Sequence, residues 1–313
     1  MVRRRTNLLW GLVVLALALL LLARALGSIP DGMFDLILRA WPALLLLAGL
    51  SFLLRERVPF GQGIALVLSA IVAVVIVSQA YSTRATQQRA DNHQTITQAL
   101  GSNLTLLRLR VQTLSTDIDL LGTPTDSVNG TFVGSSDNHI DVSYAETSDN
   151  SATLTLHEIR QSGDFPMLET MGRGTLHLEL PPNVPLDVEF VGQDGSVVLN
   201  MGGTALERLN ITSVHGDVVV TLPEYRPLLS QPSDSLGTLT VGDGNLALFI
   251  PQAVGARLEM DLGGSGIKPE YDPNVYNYLV GDVLEARNIE TASIVMHYAL
   301  HVAHGRIRVE VPS

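Results

Sequence analysis

The sequence predicts N-terminal transmembrane α-helices followed by an all-β C-terminal domain, built from repeats of short stacked strands in the manner of a β-solenoid. Three observations predict it. Long apolar runs fill the first 81 of the 313 residues. From Asn103 onward, apolar and polar residues alternate with the period of a strand. And one octapeptide, bounded by Gly and Pro, recurs four times in that alternating part.

The apolar runs come first. Thr6 to Ala23 gives 18 uncharged residues, Ala40 to Leu54 gives 15 and Val58 to Thr83 gives 26. A spanning helix needs about 20 apolar residues, with a range of about 17–25. The first and third runs are long enough. The second reaches it when Leu36, Ile37 and Leu38 extend it and Arg39 snorkels to the interface. The expected spans are residues 7–26, 36–54 and 60–81. Trp10 and Trp41 stand near the ends of their runs, at headgroup level. A run such as Leu15–Leu22 is too uniformly apolar for a helix with one face in water.

Arginines orient the module. Arg3, Arg4, Arg5, Arg55 and Arg57 fall on one side if all three runs span, and that side is the cytoplasm by the positive-inside rule. The expected location is the cell membrane, multi-pass, with the C-terminal domain extracytoplasmic. Residues 1–25 also read as a cleavable signal peptide, with Ala23-Arg24-Ala25 at its end. Cleavage would leave the domain on the same side.

Charge divides the chain in two. Up to Tyr81 there are seven basic and three acidic residues; the remainder carries 13 basic and 28 acidic ones, a net charge of −15. Such a segment lacks the clustered Lys and Arg that phosphate contacts need, so nucleic acid is not an expected partner. The expected partners are the lipid bilayer and a membrane or envelope protein, with a homo-oligomer left open. The chain has no cysteine, which removes disulfides, thiolate nucleophiles and zinc–thiolate sites.

Residues 82–102 are polar and read as a stalk, either a helical continuation of the third span ending near Gly101 or a flexible linker. The β-repeat domain is expected over 103–313. Its octapeptides are Gly174–Pro181, Gly216–Pro223, Gly244–Pro251 and Gly305–Pro312, each with three apolar residues at alternate positions. Gly174, Gly195, Gly216 and Gly237 are also 21 residues apart. Gly permits a positive φ in the turn, and Pro ends a strand because it has no N–H for the ladder. Second strands follow at Leu186–Phe190 and Ala256–Leu262, giving two strands and two turns per repeat. Such units bury their apolar faces by stacking. Further strands are expected at Leu104–Val111, Thr116–Leu121, His139–Tyr144 and Ala152–Ile159, with turns at Pro124–Asn129 and Thr147–Asn150.

Trp10-Gly11-Leu12 before a Leu-rich run, then Trp41-Pro42-Ala43-Leu44 with Gly49-Leu50, resembles the LiaF-like membrane region of bacterial cell-envelope stress-response accessory proteins. The Gly-to-Pro strand units resemble the toast-rack, or adhesin-type, β domain often attached to it. The resemblance implies an envelope protein that senses stress or restrains a signalling partner. It brings no catalytic residues.

Candidate chemistry is sparse. His297, His301 and His304 are the nearest approach to a metal set, but no carboxylate stands beside them at a ligand spacing. Gln193-Asp194-Gly195, His215-Gly216-Asp217 and Gly242-Asp243-Gly244 supply one carboxylate each, which suits turns better than calcium loops. Asp117 and Asp119 share a strand face without sugar-stacking aromatics nearby. No catalytic, cofactor or metal residue is therefore assigned, and the protein is expected not to be an enzyme. The expected role is interaction: sensing envelope stress or scaffolding a membrane partner. The alternative is a surface structural protein or adhesin that binds an extracellular ligand or self-assembles along open ends. Tyr271, Tyr276 and Tyr278 form a candidate aromatic contact patch.

Overall fold

The computed structural model describes residues 87–161, 172–228, 235–263 and 268–312. The three expected membrane spans lie outside the described residues. Eighteen strands are present among the described residues: β1 (Asn92–Ala99), β2 (Leu106–Gly122), β3 (Ser127–Gly134), β4 (Asn138–Glu146), β5 (Ser151–Arg160), β6 (Gly174–Leu180), β7 (Pro185–Asp194), β8 (Val197–Asn200), β9 (Ala205–His215), β10 (Val218–Thr221), β11 (Thr238–Asp243), β12 (Leu246–Phe249), β13 (Val254–Asp261), β14 (Glu270–Tyr271), β15 (Tyr276–Leu279), β16 (Val283–Ala286), β17 (Ile294–His304) and β18 (Ile307–Glu310).

Two sheets enclose the core. The first runs β4–β5–β2–β7–β9–β11–β17–β13–β16–β15, and its inner pairs from β5 to β13 are parallel. The second runs β1–β3–β6–β2–β8–β10–β12–β18–β14, parallel from β6 onward. A rung is one strand of the first sheet, a corner, and one strand of the second: β7 to β8, β9 to β10, β11 to β12, β17 to β18. Alternation decides which residues face inward. Leu107, Leu109 and Val111 of β2 are buried, as are Leu176, Leu178 and Leu180 of β6 and Val218 and Val220 of β10. Each fully buried Leu contributes about 1.5–3 kcal/mol over its exposed state. The stack of such layers stabilises the domain.

Glycine makes the corners. Gly195, Gly216, Gly244 and Gly305 have φ of 142°, 128°, 153° and 153°, a region side chains disfavour. They form a column. A Cβ on Gly216 would lie 2.1 Å from the carbonyl oxygen of Gly195, one on Gly244 2.2 Å from that of Gly216, and one on Gly305 1.9 Å from that of Gly244. The predicted two-strand, two-turn unit is therefore the rung, and 21 residues separate Gly195 from Gly216. Gly174 and Gly237 do not belong to the column: Gly174 opens β6 and Gly237 immediately precedes β11, and Gly244 makes the corner after Gly216. The Gly195 rung has Gly202 where the other octapeptides have Pro, which hid it from the octapeptide pattern.

Four expectations are corrected. Residues 82–102 are not a stalk throughout, since Asn92–Ala99 forms β1, paired antiparallel with β3, and Ile96 enters the core. Polar residues occupy both its faces, His93, Thr95 and Thr97 outside and Asn92, Gln94 and Gln98 beside Ile96, so the segment lacks the apolar alternation that marks an inner strand. The β domain thus begins before residue 103. The separate strands Leu104–Val111 and Thr116–Leu121 are one continuous strand, β2, that belongs to both sheets. The turn expected over Pro124–Asn129 is shorter, because β3 starts at Ser127; the turn at Thr147–Asn150 is present, with Asn150 at φ 60°. Rung order departs from chain order as well: β2 lies between β6 and β8, and β17 between β11 and β13.

At one end the edges of the two sheets are joined by a side chain. Gln94 on β1 bonds the backbone of Ile140 twice, its Nε2 donating to the carbonyl at 2.7 Å and its Oε1 accepting from the N–H at 3.0 Å. At the other end the first sheet closes with the antiparallel hairpin β15–β16.

Candidate functional site

The corner column carries a row of alternating charge. Asp194, His215, Asp243 and His304 precede the corner glycines and are aligned on β7, β9, β11 and β17. His215 Nδ1 lies 3.1 Å from Asp194 Oδ1, His215 Nε2 3.5 Å from Asp243 Oδ2, and His304 Nδ1 2.9 Å from Asp243 Oδ1. Further pairs join His301 to Asp261 at 2.9 Å and His177 to Asp119 at 3.0 Å. Each imidazole meets a carboxylate of a neighbouring rung. These groups are largely exposed, so water screens them and their contribution to stability is small.

The sequence candidates fall into this scheme. Among the described residues, no group of three His, Asp or Glu side chains converges as a metal would require. His301 and His304 are held by different carboxylates, and His297 is aligned with Arg257 of β13. The three Asp-Gly or Gly-Asp stretches are the corners themselves. Asp117 Oδ1 accepts the Ser196 N–H at 2.8 Å, while Asp119 pairs with His177. The two aspartates share the outer face of β2 but serve separate contacts. Tyr271 and Tyr278 stack with centroids 6.2 Å apart, whereas Tyr276 is in the core, where burial pushes its phenol up to about 12. A hydrogen bond to Asp282, then desolvation, pushes Tyr278 up to about 12 as well.

Two buried carboxylates escaped the sequence reading. Glu158 is fully buried; its Oε2 accepts the N–H groups of Leu114 at 2.6 Å and Ser115 at 3.0 Å, and its Oε1 accepts from Asn138 Nδ2 at 2.8 Å. These bonds hold the glycine-free corner of β2. Glu207 sits at the bulge opposite Leu186 and Asp187, accepts the Tyr225 hydroxyl at 2.7 Å and binds the Leu228 N–H. It anchors a loop beside a groove of about 780 Å³ lined by Pro182, Pro223, Pro251 and Pro312. A signal for both existed: each Glu falls on the inward register of its strand, Glu158 with Leu154 and Leu156, Glu207 with Leu209 and Ile211.

The outer faces of the two sheets differ. On the first, one row reads Gln112, Val191, Thr212, Thr240 and His301, mostly polar. On the second, one row of the central rungs presents Val198, Val219 and Ala247, and the next presents Leu121, Asn200, Thr221 and Phe249. Val198 is 40% exposed, and Leu121, Val219, Ala247 and Phe249 are half-buried.

Comparisons agree with this two-part layout. Residues 9–89 match the family model of the LiaF transmembrane domain, a match that places the protein at a membrane. A crystal structure of a candidate cell adhesion protein from Clostridium sporogenes ATCC 15579 matches at TM-score 0.58 and 12% identity, over 71% of this chain and 100% of that one. A candidate adhesin from Bacteroides fragilis NCTC 9343 matches at TM-score 0.23 and 10% identity, over 72% of this chain and 99% of that one. No curated protein matches the chain. The chain is thus similar to the LiaF transmembrane domain over residues 9–89 and shares the β fold of the Clostridium structure, a pairing that fits a membrane-anchored protein of the cell envelope.

Proposed function

We propose that this is a multi-pass, non-enzymatic envelope protein that displays its β domain outside the cytoplasm and acts by binding, sensing envelope stress or holding a membrane signalling partner in check. One observation carries the reading. The LiaF transmembrane match ends at residue 89, and β1 starts at Asn92. The family match and the first strand of the β domain are thus nearly contiguous in sequence, which supports a signal passing between the domain and its anchor. The argininyl flank of the first run supports the orientation.

The test is co-purification from membranes. The full chain should retain a membrane partner, and replacing residues 1–86 with an unrelated anchor should release that partner while the β domain stays folded. Retention by the replaced anchor would overturn the reading. A second reading, adhesion, is favoured by the fold shared with the Clostridium protein. Cells displaying the full chain should then bind matrix or one another, and cells displaying the anchor alone should not.

A further inference from the structure

We infer that the outer face of the second sheet is a homodimer interface, occupied by the same face of a second copy. This does not depend on which partner the membrane segment holds.

One row of residues runs across this face. Crossing the sheet, Asp119 is aligned with Val198, Val198 with Val219, Val219 with Ala247, and Ala247 with Arg308. His177 flanks Asp119 at one end, and Glu270 flanks Arg308 at the other. The row is apolar in its middle three positions and charged at both ends. Val219 is its centre. A two-fold axis parallel to the strands over Val219 sets Val219 against its own copy and Val198 against Ala247. The same axis sets Asp119 against Arg308 and His177 against Glu270. No two like charges face each other in this row, and a two-fold interface requires such self-complementarity.

The neighbouring row is mixed: Leu121 and Phe249 flank Asn200 and Thr221, and Glu310 lies beyond Phe249. The contact therefore centres on the row of Val198, Val219 and Ala247, and packed sheets lie about 10 Å apart. A contiguous apolar strip rimmed by charge marks an interaction site more often than a solvated surface. The strip is small for a dimer free in solution. Anchoring in one membrane raises the effective concentration of copies and makes up the difference. Arg308 and Asp119 keep side chains about half exposed, at 55% and 50%, so both remain available to a second copy.

The chain has no cysteine, so an introduced one is its single thiol. Full-length protein with Val219→Cys, reconstituted in liposomes at low density, would be treated with a bismaleimide of about 10 Å reach, since facing sheets lie too far apart for a direct disulfide. We expect a cross-linked dimer, and none from Thr212→Cys on the outer face of the first sheet. Adding Asp119→Arg or Arg308→Glu to the Val219→Cys protein should cut the yield about ten-fold, and mixing the two differently tagged variants should restore it as heterodimer. All four positions are at the surface, and circular dichroism would confirm that each variant folds. Absence of the Val219→Cys dimer, equal cross-linking from Thr212→Cys, or a yield indifferent to both charge reversals would each overturn the interface.

Discussion

At the corner of each rung a single atom decides what residue is tolerated. Gly216 combines φ of 128° with a Cβ position 2.1 Å from a backbone oxygen of the previous rung, which cannot move aside as a side chain would. Gly216→Ala should therefore cost about 3 kcal/mol or more, read as a drop in the denaturant midpoint of the β domain. Gly203, with nothing within 4 Å of its Cβ position, should tolerate Ala better despite its φ of 76°. Gly216, Gly244 and Gly305 were legible in the sequence because each opens a Gly-to-Pro octapeptide, although the corners are unevenly spaced along the chain. The two buried glutamates were passed over because a charged residue on an inward register reads as an interruption of the pattern. Buried Tyr276 and Tyr298 add a pH dependence. Burial raises both phenols, Tyr276 to about 12, while an unfolded phenol titrates near 10. Between those values the folded state keeps a proton that the unfolded state has lost. Stability is thus fully present below pH ~10 and declines as pH rises toward 12. A phenolate absorbance titration should show alkaline unfolding accompanying the late-titrating tyrosines.

For the strands, what matters is how each one turns from one sheet to the other. β2 makes its corner without glycine, and Glu158 supplies the acceptors that the bent backbone loses. Glu158→Ala leaves the N–H groups of Leu114 and Ser115 buried without that acceptor and should cost about 3 kcal/mol. Glu158→Gln keeps an oxygen in place and should cost less; equal losses for the two would remove the corner role. In the stacked strands the cost is a cavity instead. Leu178 is fully buried, and Leu178→Ala should lower stability by about 2–5 kcal/mol, measured by urea unfolding. Inner strands such as β6 and β10 could be read from period 2 alone. β1 could not: only Ile96 of its eight residues is buried, because an edge strand over a capped end has little apolar surface to hide.

The molecule as a whole joins a LiaF-like membrane region to a β domain of stacked rungs, and the side of the membrane on which that domain lies tests the proposed topology. In intact cells an external protease should reach the β domain, and in inverted vesicles it should not. The opposite pattern would put the domain in the cytoplasm and end the adhesion reading. Membrane anchoring and an all-β domain were both legible in the sequence, since each rests on a long-range pattern. The sequence order of the rungs concealed their spatial order, because pairing between distant strands leaves no periodic trace.

That spatial order bears on how the domain is made. The rung of β17 and β18 is the latest in the chain, yet it sits between β11 and β13 in one sheet and between β12 and β14 in the other. A chain made from its N-terminus must hold a slot open until this piece arrives. Completion then waits for the final strands, and assembly is all-or-none toward the end rather than rung by rung. A chain stopped after Thr291 would lack an inner layer, not a terminal one, and should fail to fold instead of losing a small increment of stability.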